Sequence, residues 1–339
     1  MSLSNRQWHL VSRPTGAPSA DNFRLVEAAV PELQDRQVLV RHHFLSVDPY
    51  MRGRMDDRKS YAAPQPLHEV MQGGTVGEVI ASRSDAYRVG DRVVGMGGWQ
   101  QYQVVDAAAR GQLRKVDATR VPLSAYLGVL GMPGVTAWVG LNTIIEPKAG
   151  ETVVVSAASG AVGSVVGQLA KARGCRAVGV AGGPEKCRAV TEEFGFDACI
   201  DHRAHANAKA LAAALKAACP DGIDGAFENV GGWILDAVML RMNAFSRIAL
   251  CGLIAGYNGE PIPLAAPQLI LVNRMKVQGF IVSEHLELWP KALQELGARV
   301  AAGTLQYRES IVDGIERAPE ALLGLLAGRN FGKQLVRLV

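Results

Sequence analysis

Up to about Val121 the chain alternates apolar and polar residues in short extended stretches, at 7–11, 38–44, 74–82, 91–96 and 99–105. Gly, Pro and Asp separate them, as in Gly73-Gly74 and Val89-Gly90-Asp91, and this pattern predicts a small, partly open β-barrel. The rhythm changes after Pro133. A helical pattern covers 136–143, and β-branched runs then alternate with amphipathic ones. The spacing predicts strands at 152–156, 176–181, 198–201, 225–229, 247–251 and 275–279. Helices are predicted between them at 161–173, 185–194, 208–218 and 234–242. Such alternation specifies an α/β fold with a doubly wound parallel sheet. Two further helical patterns, 289–302 and 319–326, precede a last strand at 333–337 that has no obvious place in that sheet. The chain is therefore expected to return to its first domain, giving domains at 1–125, 126–300 and 301–339, the last rejoining the first.

The first strand of the parallel sheet runs directly into a small-residue turn, Val153-Val154-Val155-Ser156-Ala157-Ala158-Ser159-Gly160-Ala161-Val162-Gly163. Small residues at Ala158, Gly160 and Gly163 let the backbone approach a pyrophosphate, whose charge a helix N-terminus stabilises through its free N–H groups. Sheets that bind NAD usually carry an Asp or Glu at the end of the second strand, about 20 residues on, to hold the ribose 2′-OH. Here that strand ends Val180-Ala181-Gly182-Gly183, with Lys186 following. The small residues leave room for a 2′-phosphate and the ammonium can pair with it, so NADPH is expected rather than NADH. The competing reading makes Lys186 a solvated helix lysine and gives the ribose to Glu185. Glu185 belongs to the predicted helix, not to the strand tip, which counts against it.

Composition narrows the class. The chain has 339 residues, of which 48% are hydrophobic, enough for two domains with sizeable cores. No uncharged apolar run reaches the roughly 18 residues of a membrane span, and the first residues lack the apolar centre of a signal peptide. A cytoplasmic protein with no membrane partner is expected. The net charge of +4 is small and no Lys/Arg cluster stands out, so no nucleic-acid partner is expected. Cys175, Cys187, Cys199, Cys219 and Cys251 are odd in number and form no C-x-x-C pair, which reads as packed, reduced thiols.

The turn Ala157-Ala158-Ser159-Gly160-Ala161-Val162-Gly163-Ser164-Val165-Val166-Gly167-Gln168 resembles that of the zinc-independent medium-chain dehydrogenases/reductases. The similarity is to the leukotriene B4 12-hydroxydehydrogenase, prostaglandin reductase and alkenal double-bond reductase group. Five other segments agree in order: Ser46-Val47-Asp48-Pro49-Tyr50-Met51-Arg52-Gly53, Leu130-Gly131-Met132-Pro133-Gly134-Val135-Thr136-Ala137, Glu228-Asn229-Val230-Gly231-Gly232, Cys251-Gly252-Leu253-Ile254-Ala255-Gly256-Tyr257-Asn258 and Gly328-Arg329-Asn330-Phe331-Gly332-Lys333. The resemblance implies a GroES-like, partly open barrel made from both chain ends, a Rossmann domain, NADPH held between them, and a homodimer. It implies that Gly160, Ala161, Val162 and Gly163 line the pyrophosphate and that Lys186 meets the 2′-phosphate. Asn229, Cys251, Gly252, Leu253, Ile254, Tyr257, Phe280, Ile281, Val282 and Asn330 would line the nicotinamide half. One departure stands out. The family usually has a tyrosine near the 2′-phosphate after the third strand, where this chain reads Ile200-Asp201-His202-Arg203. His202 can still donate a hydrogen bond there and Arg203 stands beside it, whereas Asp201 is unfavourable to a phosphate.

Zinc-dependent relatives hold their metal with early Cys, His and Glu ligands. This chain has no Cys before Cys175, reads Met71-Gln72-Gly73-Gly74 where such relatives carry Gly-His-Glu, and sets His42, His43 and His68 at no ligand-like spacing with thiols. No metal is expected. Hydride transfer aided only by hydrogen-bond donors suits a conjugated carbonyl: hydride reaches the β-carbon, enolate charge builds on oxygen, and a phenol of unperturbed pKa about 10 can stabilise it. Tyr257, just past a strand end, and Tyr50, in the Asp48–Arg52 turn, are the candidate donors. Arg52 reads as a brace for that turn, and Trp99 and Phe280 as apolar substrate walls or core. The expected activity is NADPH-dependent enone or alkenal reduction. A quinone reductase and a non-enzymatic NADPH-binding protein stay open as alternatives.

Overall fold

Half-buried alternation builds the first sheets. In the computed structural model, which describes residues 3–109 and 111–339, β1 (Ser4–Leu10) pairs antiparallel with β2 (Phe23–Ala29). Met1 and Ser2, part of the start that lacks a signal-peptide pattern, lie outside the described residues. β3 (Gln37–Ser46) is the hub of a second sheet, its Val38, Val40 and His42 all turned inward. A short helix α1 (Tyr50–Arg54) follows it, and β3 then pairs antiparallel with β4 (Thr75–Ser82). The sheet continues through β5 (Arg92–Gly95), while β6 (Tyr102–Asp106) pairs with the same β3 and β7 (Leu113–Lys115) with β5.

The parallel sheet begins after α2 (Met132–Val139), which widens into π-type turns over Gly140–Ile145. It contains β8 (Thr152–Ser156), α3 (Gly163–Ala172), β9 (Arg176–Ala181), α4 (Pro184–Glu192), β10 (Ala198–Asp201), α5 (Ala208–Ala218), β11 (Ile223–Glu228), α6 (Gly232–Met239), β12 (Met242–Leu250), α7 (Gln268–Val272) and β13 (Lys276–Gly279). The strand order is β10-β9-β8-β11-β12-β13, with every pair parallel. The order in which strands are added reverses between β8 and β11, the switch point outside which such sheets bind ligands at their carboxyl ends. Val153, Val154 and Val155 are all buried because helices cover both faces of β8. Each contributes about 1.5–3 kcal/mol, and double-sided burial is why this strand reads as a continuous apolar run.

α8 (Trp289–Ala301) leads to β14 (Glu309–Asp313), α9 (Ala318–Leu326) and β15 (Lys333–Arg337). β15 pairs parallel with β14 and antiparallel with β3. The chain thus forms two compact units, Met1–Gly128 with Glu309–Val339, and Val129–Arg308. The second break falls after Arg308, not after residue 300. The cause is local: Gln306 N–H donates to Gln168 Oε1 and Gln168 Nε2 to the Gln306 carbonyl, both at 2.8 Å, which ties this stretch to α3.

Other departures from the expected elements have similar causes. β2, β7 and β14 are additional strands, the middle one only three residues long. The helix after β8 starts at Gly163, so Ala161 and Val162 belong to the turn. Residues 99–101 lie outside β6, and Trp99 is fully buried, stacked on Phe23 at 5.5 Å between ring centres. It is core, not a substrate wall. No helix among the described residues is long and apolar enough to cross a membrane.

Candidate functional site

The turn after β8 is set by two backbone features. Ala157 sits in the left-handed region at φ 50°, and its carbonyl accepts the Gly160 N–H at 2.9 Å. That carbonyl also abuts Gly163, where a Cβ would come within 2.4 Å of it, so only glycine fits. The N–H groups of Ala161, Val162 and Gly163 follow that turn directly. They end at the amino end of α3, whose partial positive charge favours an anion.

Beside this turn lies a residue that the sequence motif contains but to which no role was expected. Glu228 ends β11 and is 1% exposed. Its Oε1 accepts the Ser156 hydroxyl at 2.8 Å and the N–H groups of Val230 and Gly231 at 2.6 and 2.7 Å. Burial pushes its carboxyl above the usual range, and these donors pull against that. Asn229 completes the knot: its N–H donates to Ser156 Oγ and its Nδ2 to the Ser156 carbonyl, each at 2.8 Å. A carboxylate closing an apolar strand just before Gly231-Gly232 was the available signal, since a buried acid needs donors from the turn it precedes.

Basic side chains gather at the tip of β9. A Cβ at Gly182 would fall 2.9 Å from His202 Nε2 and 3.0 Å from Arg203 Nε, so both side chains lie against that backbone. Burial and then the Arg203 charge lower the Lys186 pKa. Burial and Arg203 likewise lower that of His202, with a smaller contribution from Lys186. Three basic side chains therefore crowd one strand tip. Asp201 is not aimed at them: its Oδ1 accepts the N–H groups of Gly183 at 2.7 Å and Arg203 at 2.9 Å. Burial raises its pKa, but those two N–H groups outweigh burial and hold it low. The His202 ring also meets Trp233 edge-on at 6.0 Å, an aromatic neighbour the sequence pattern did not single out.

At the next strand end, the N–H groups of Cys251 and Gly252 both donate to the Glu228 carbonyl, at 2.9 and 3.2 Å. Ile254 N–H donates to the Asn229 carbonyl at 3.2 Å, which brings the loop after β12 beside that of β11. Leu253 precedes a short turn over Ile254–Gly256. The Tyr257 hydroxyl lies over Gly252, where a Cβ would be 3.1 Å from it. Burial pushes the Cys251 thiol up to about 12, which leaves it unreactive. Phe280, Ile281 and Val282 follow β13. The Phe280 ring turns inward against Phe227, 6.1 Å between centres, so it packs the core and is not a substrate wall.

Tyr50 and Asn330 belong to the other unit. Burial, then the Asp48 charge, pushes the Tyr50 phenol well above its ordinary range, so it stays an O–H donor. With Arg54, Tyr61, Ala62 and Pro64 it lines a shallow pocket of about 20 Å³. Arg52 braces this turn as expected, donating to Asp56 Oδ1 at 2.6 Å and the Gly16 carbonyl at 2.7 Å. Asn330 Nδ2 donates to the Gly332 carbonyl at 2.8 Å. One residue on, Lys333 Nζ donates to Asp48 Oδ1 at 2.8 Å and the Val47 carbonyl at 2.7 Å.

Residues 6–115 match the family described as the N-terminal domain of oxidoreductase, and residues 161–298 the family described as zinc-binding dehydrogenase. Among the described residues no three His, Cys, Asp or Glu side chains gather so as to hold a metal ion, so the residues present do not fit the zinc of that description. The chain is 47% identical to NADPH-dependent curcumin reductase of Escherichia coli (strain K12), covering 98% of this chain and 97% of that protein. It is 42% identical to 2-alkenal reductase (NADP(+)-dependent) of Nicotiana tabacum, with 98% and 97% covered. The crystal structure of CurA in complex with NADPH from Vibrio vulnificus superposes with a TM-score of 0.92 at 45% identity, over 98% of this chain and 99% of that one.

Proposed function

Because the chain belongs to the zinc-independent group of the medium-chain dehydrogenase/reductase family, we propose that it uses NADPH to reduce the C=C bond of α,β-unsaturated ketones and aldehydes. The observation that carries this reading is the pair His202 and Arg203 packed against Gly182, with the Lys186 ammonium near enough to feel the Arg203 charge, a seat for a phosphate that NADH lacks. Bound NADPH supplies the hydride that reaches the β-carbon. The protein supplies the rest. The N–H groups of Ala161, Val162 and Gly163 receive the pyrophosphate, and Lys186 and His202 the 2′-phosphate. Asp201 keeps its charge on the Gly183 and Arg203 amides and so opposes that phosphate less. The Tyr257 hydroxyl donates to the substrate oxygen as enolate charge grows, an interaction stronger in the transition state than in the ground state. Tyr50 is the second candidate donor, and the α-carbon takes its proton from tyrosine or solvent.

The test is cofactor oxidation with alkenals, aryl enones and quinones, each with NADPH and NADH. Enones or alkenals turned over with NADPH are the expected result. Quinones preferred by kcat/KM would make the protein a quinone reductase, and tight NADPH binding with no conjugated carbonyl consumed would make it a binding protein. Lys186→Ala should raise the KM for NADPH about ten-fold or more, the loss of one charge-assisted hydrogen bond, with kcat nearly unchanged. An unaltered KM would mean the 2′-phosphate is held elsewhere. Tyr257→Phe should lower kcat by about 10²-fold and leave NADPH affinity intact; wild-type turnover would remove Tyr257 from the mechanism.

We further propose a homodimer joined along β13, the last strand in the parallel sheet. Phe245, Leu271, Val272 and Val277, at or near this edge in sequence or sheet, are exposed by 68%, 79%, 59% and 36%. Uncovered edges and apolar patches of this kind favour association. Sedimentation should report about twice the chain mass of 36.1 kDa, and Val277→Asp should shift the protein toward monomer.

A further inference from the structure

Tyr50 opens α1 and Arg54 closes it, so the two side chains stand four residues apart on one helix face. The Arg54 guanidinium carbon lies 4.6 Å from the centre of the Tyr50 ring, a cation–π contact. A ring of three hydrogen bonds holds it there. The Arg54 carbonyl accepts the Gln65 N–H at 2.7 Å, Gln65 Oε1 accepts the Gln72 N–H at 2.8 Å, and Gln72 Oε1 accepts Arg54 Nη1. Gln65 is 1% exposed, and its Nε2 donates to the carbonyls of Pro66 and Val70, at 3.1 and 3.2 Å. Among the described residues Arg54 has no acidic partner, because nearby Asp56 pairs with Arg52 and Arg58. We propose that Arg54 is a positioning residue for Tyr50, its locked guanidinium orienting the phenol and strengthening its donation to the enolate oxygen, a role that rests on the reading of Tyr50 as a donor in enone reduction.

A cation over the face of an aromatic ring is attracted by the negative charge of that face. When the phenol donates to an oxygen that is gaining charge, electron density shifts toward its own oxygen and ring, and the attraction to the guanidinium grows. The contact is then stronger in the transition state than in the ground state, which is the condition for acceleration. Burial also limits the screening of the Arg54 charge. Burial and then the Asp48 charge push the Tyr50 phenol up, and Arg54 pulls against them. Arg52 cannot take this place, since its Nη1 and Nη2 are turned to Asp56 and the Gly16 carbonyl. Tyr50 and Arg54 line the same pocket, and Arg54 Nε is buried with no hydrogen-bond partner among the described residues. The ring contact and the clamp through Gln72 and Gln65 fix the guanidinium without an opposing carboxylate.

The test measures kcat and KM for an aryl enone and an alkenal with NADPH. It also follows the NMR signal of the Tyr50 ring carbon that bears the hydroxyl, in full-length protein with isotope-labelled tyrosine, assigned through Tyr50→Phe. Arg54→Met keeps much of the stem and removes the charge. It should lower kcat about ten-fold, leave the KM for NADPH near the wild-type value, and move the Tyr50 signal. Arg54→Lys, which keeps a cation on the helix face, should restore part of kcat. In the Tyr50→Phe background Arg54→Met should cost little more, because the hydroxyl it acts on is gone. An unchanged kcat in Arg54→Met, an equal loss in the Tyr50→Phe background, or an unmoved signal would overturn the proposal. Gln72→Leu opens the clamp and keeps the guanidinium, and serves if Arg54→Met does not fold: it too should lower kcat and move the signal, and wild-type behaviour in both would count against the proposal equally. The signal needs no substrate, so failure of the Arg54 contact is distinguishable from failure of the donor reading. The latter would appear as wild-type protein that consumes no enone, or as Tyr50→Phe with undiminished turnover, and either would bring the proposal down with it.

Discussion

Lys333→Met is expected to destabilise the protein by about 3–5 kcal/mol, the usual loss when one partner of a buried ion pair is removed. The Lys333 and Asp48 side chains are 4% and 7% exposed. Asp48 Oδ1 accepts from the ammonium, and Oδ2 accepts the Ser46 hydroxyl. Methionine fills the space of the lysine stem but leaves the Asp48 charge buried without its counter-charge. The size of the loss comes from that stranded charge more than from the worth of the pair. The double variant Asp48→Asn/Lys333→Met should therefore recover much of the loss, because neither remaining group is charged. Urea midpoints of the four proteins in the cycle decide this; a single variant that falls by less than about 1 kcal/mol would place the pair among the weak surface contacts. The same link holds the strand end before Tyr50 to β15, so turnover should fall in the single variants even where they remain folded.

Acidification toward pH 3 should weaken the protein by up to about 5 kcal/mol through one side chain, His42, at about 1.36 kcal/mol per pKa unit. Its ring is buried, and neither nitrogen has a partner among the described residues. Gly97 lies so close that a Cβ there would be 2.4 Å from Nε2. Burial, with a smaller contribution from His43, lowers its pKa from 6.5 to about 3. As pH falls from 6.5 the unfolded chain takes up a proton that the folded chain refuses, so the unfolded state gains. The contribution is intact above pH 6.5 and is lost progressively toward pH 3. Low-pKa carboxylates such as Asp91 and Asp197 add in the same direction lower down, so the informative quantity is a difference. His42→Leu should show a flatter pH dependence of its urea midpoint between pH 6.5 and 4.5, by about 2.7 kcal/mol over the two units. Parallel curves for the two proteins would sink the assignment.

How much was legible varied with how local each feature is. β8 and β9 stand out because strands covered on both faces need only be apolar and β-branched, as Val153, Val178 and Val180 are. β2 and β14 do not, because their residues are largely half-buried and depend on partners distant in the chain, β14 on β15 above all. The Gly160–Gly163 turn and Lys186 were legible because the strand-to-helix motif fixes their spacing. Trp99 was not, since its burial depends on Phe23, 76 positions earlier (99 minus 23). Arg203 beside Gly182 and the knot at Glu228 each join segments that follow different strands. Only the parallel register of β8 to β12 brings them together.

Glu228 has one more consequence. By gathering the donors of Ser156, Val230 and Gly231 on one oxygen, it makes the segments after β8 and β11 a single stiff rim. Each side chain already immobilised there saves an incoming ligand about 0.5–1.5 kcal/mol of ordering entropy. The rim is thus preorganised, and softening it would slow recognition without removing any group that touches the ligand.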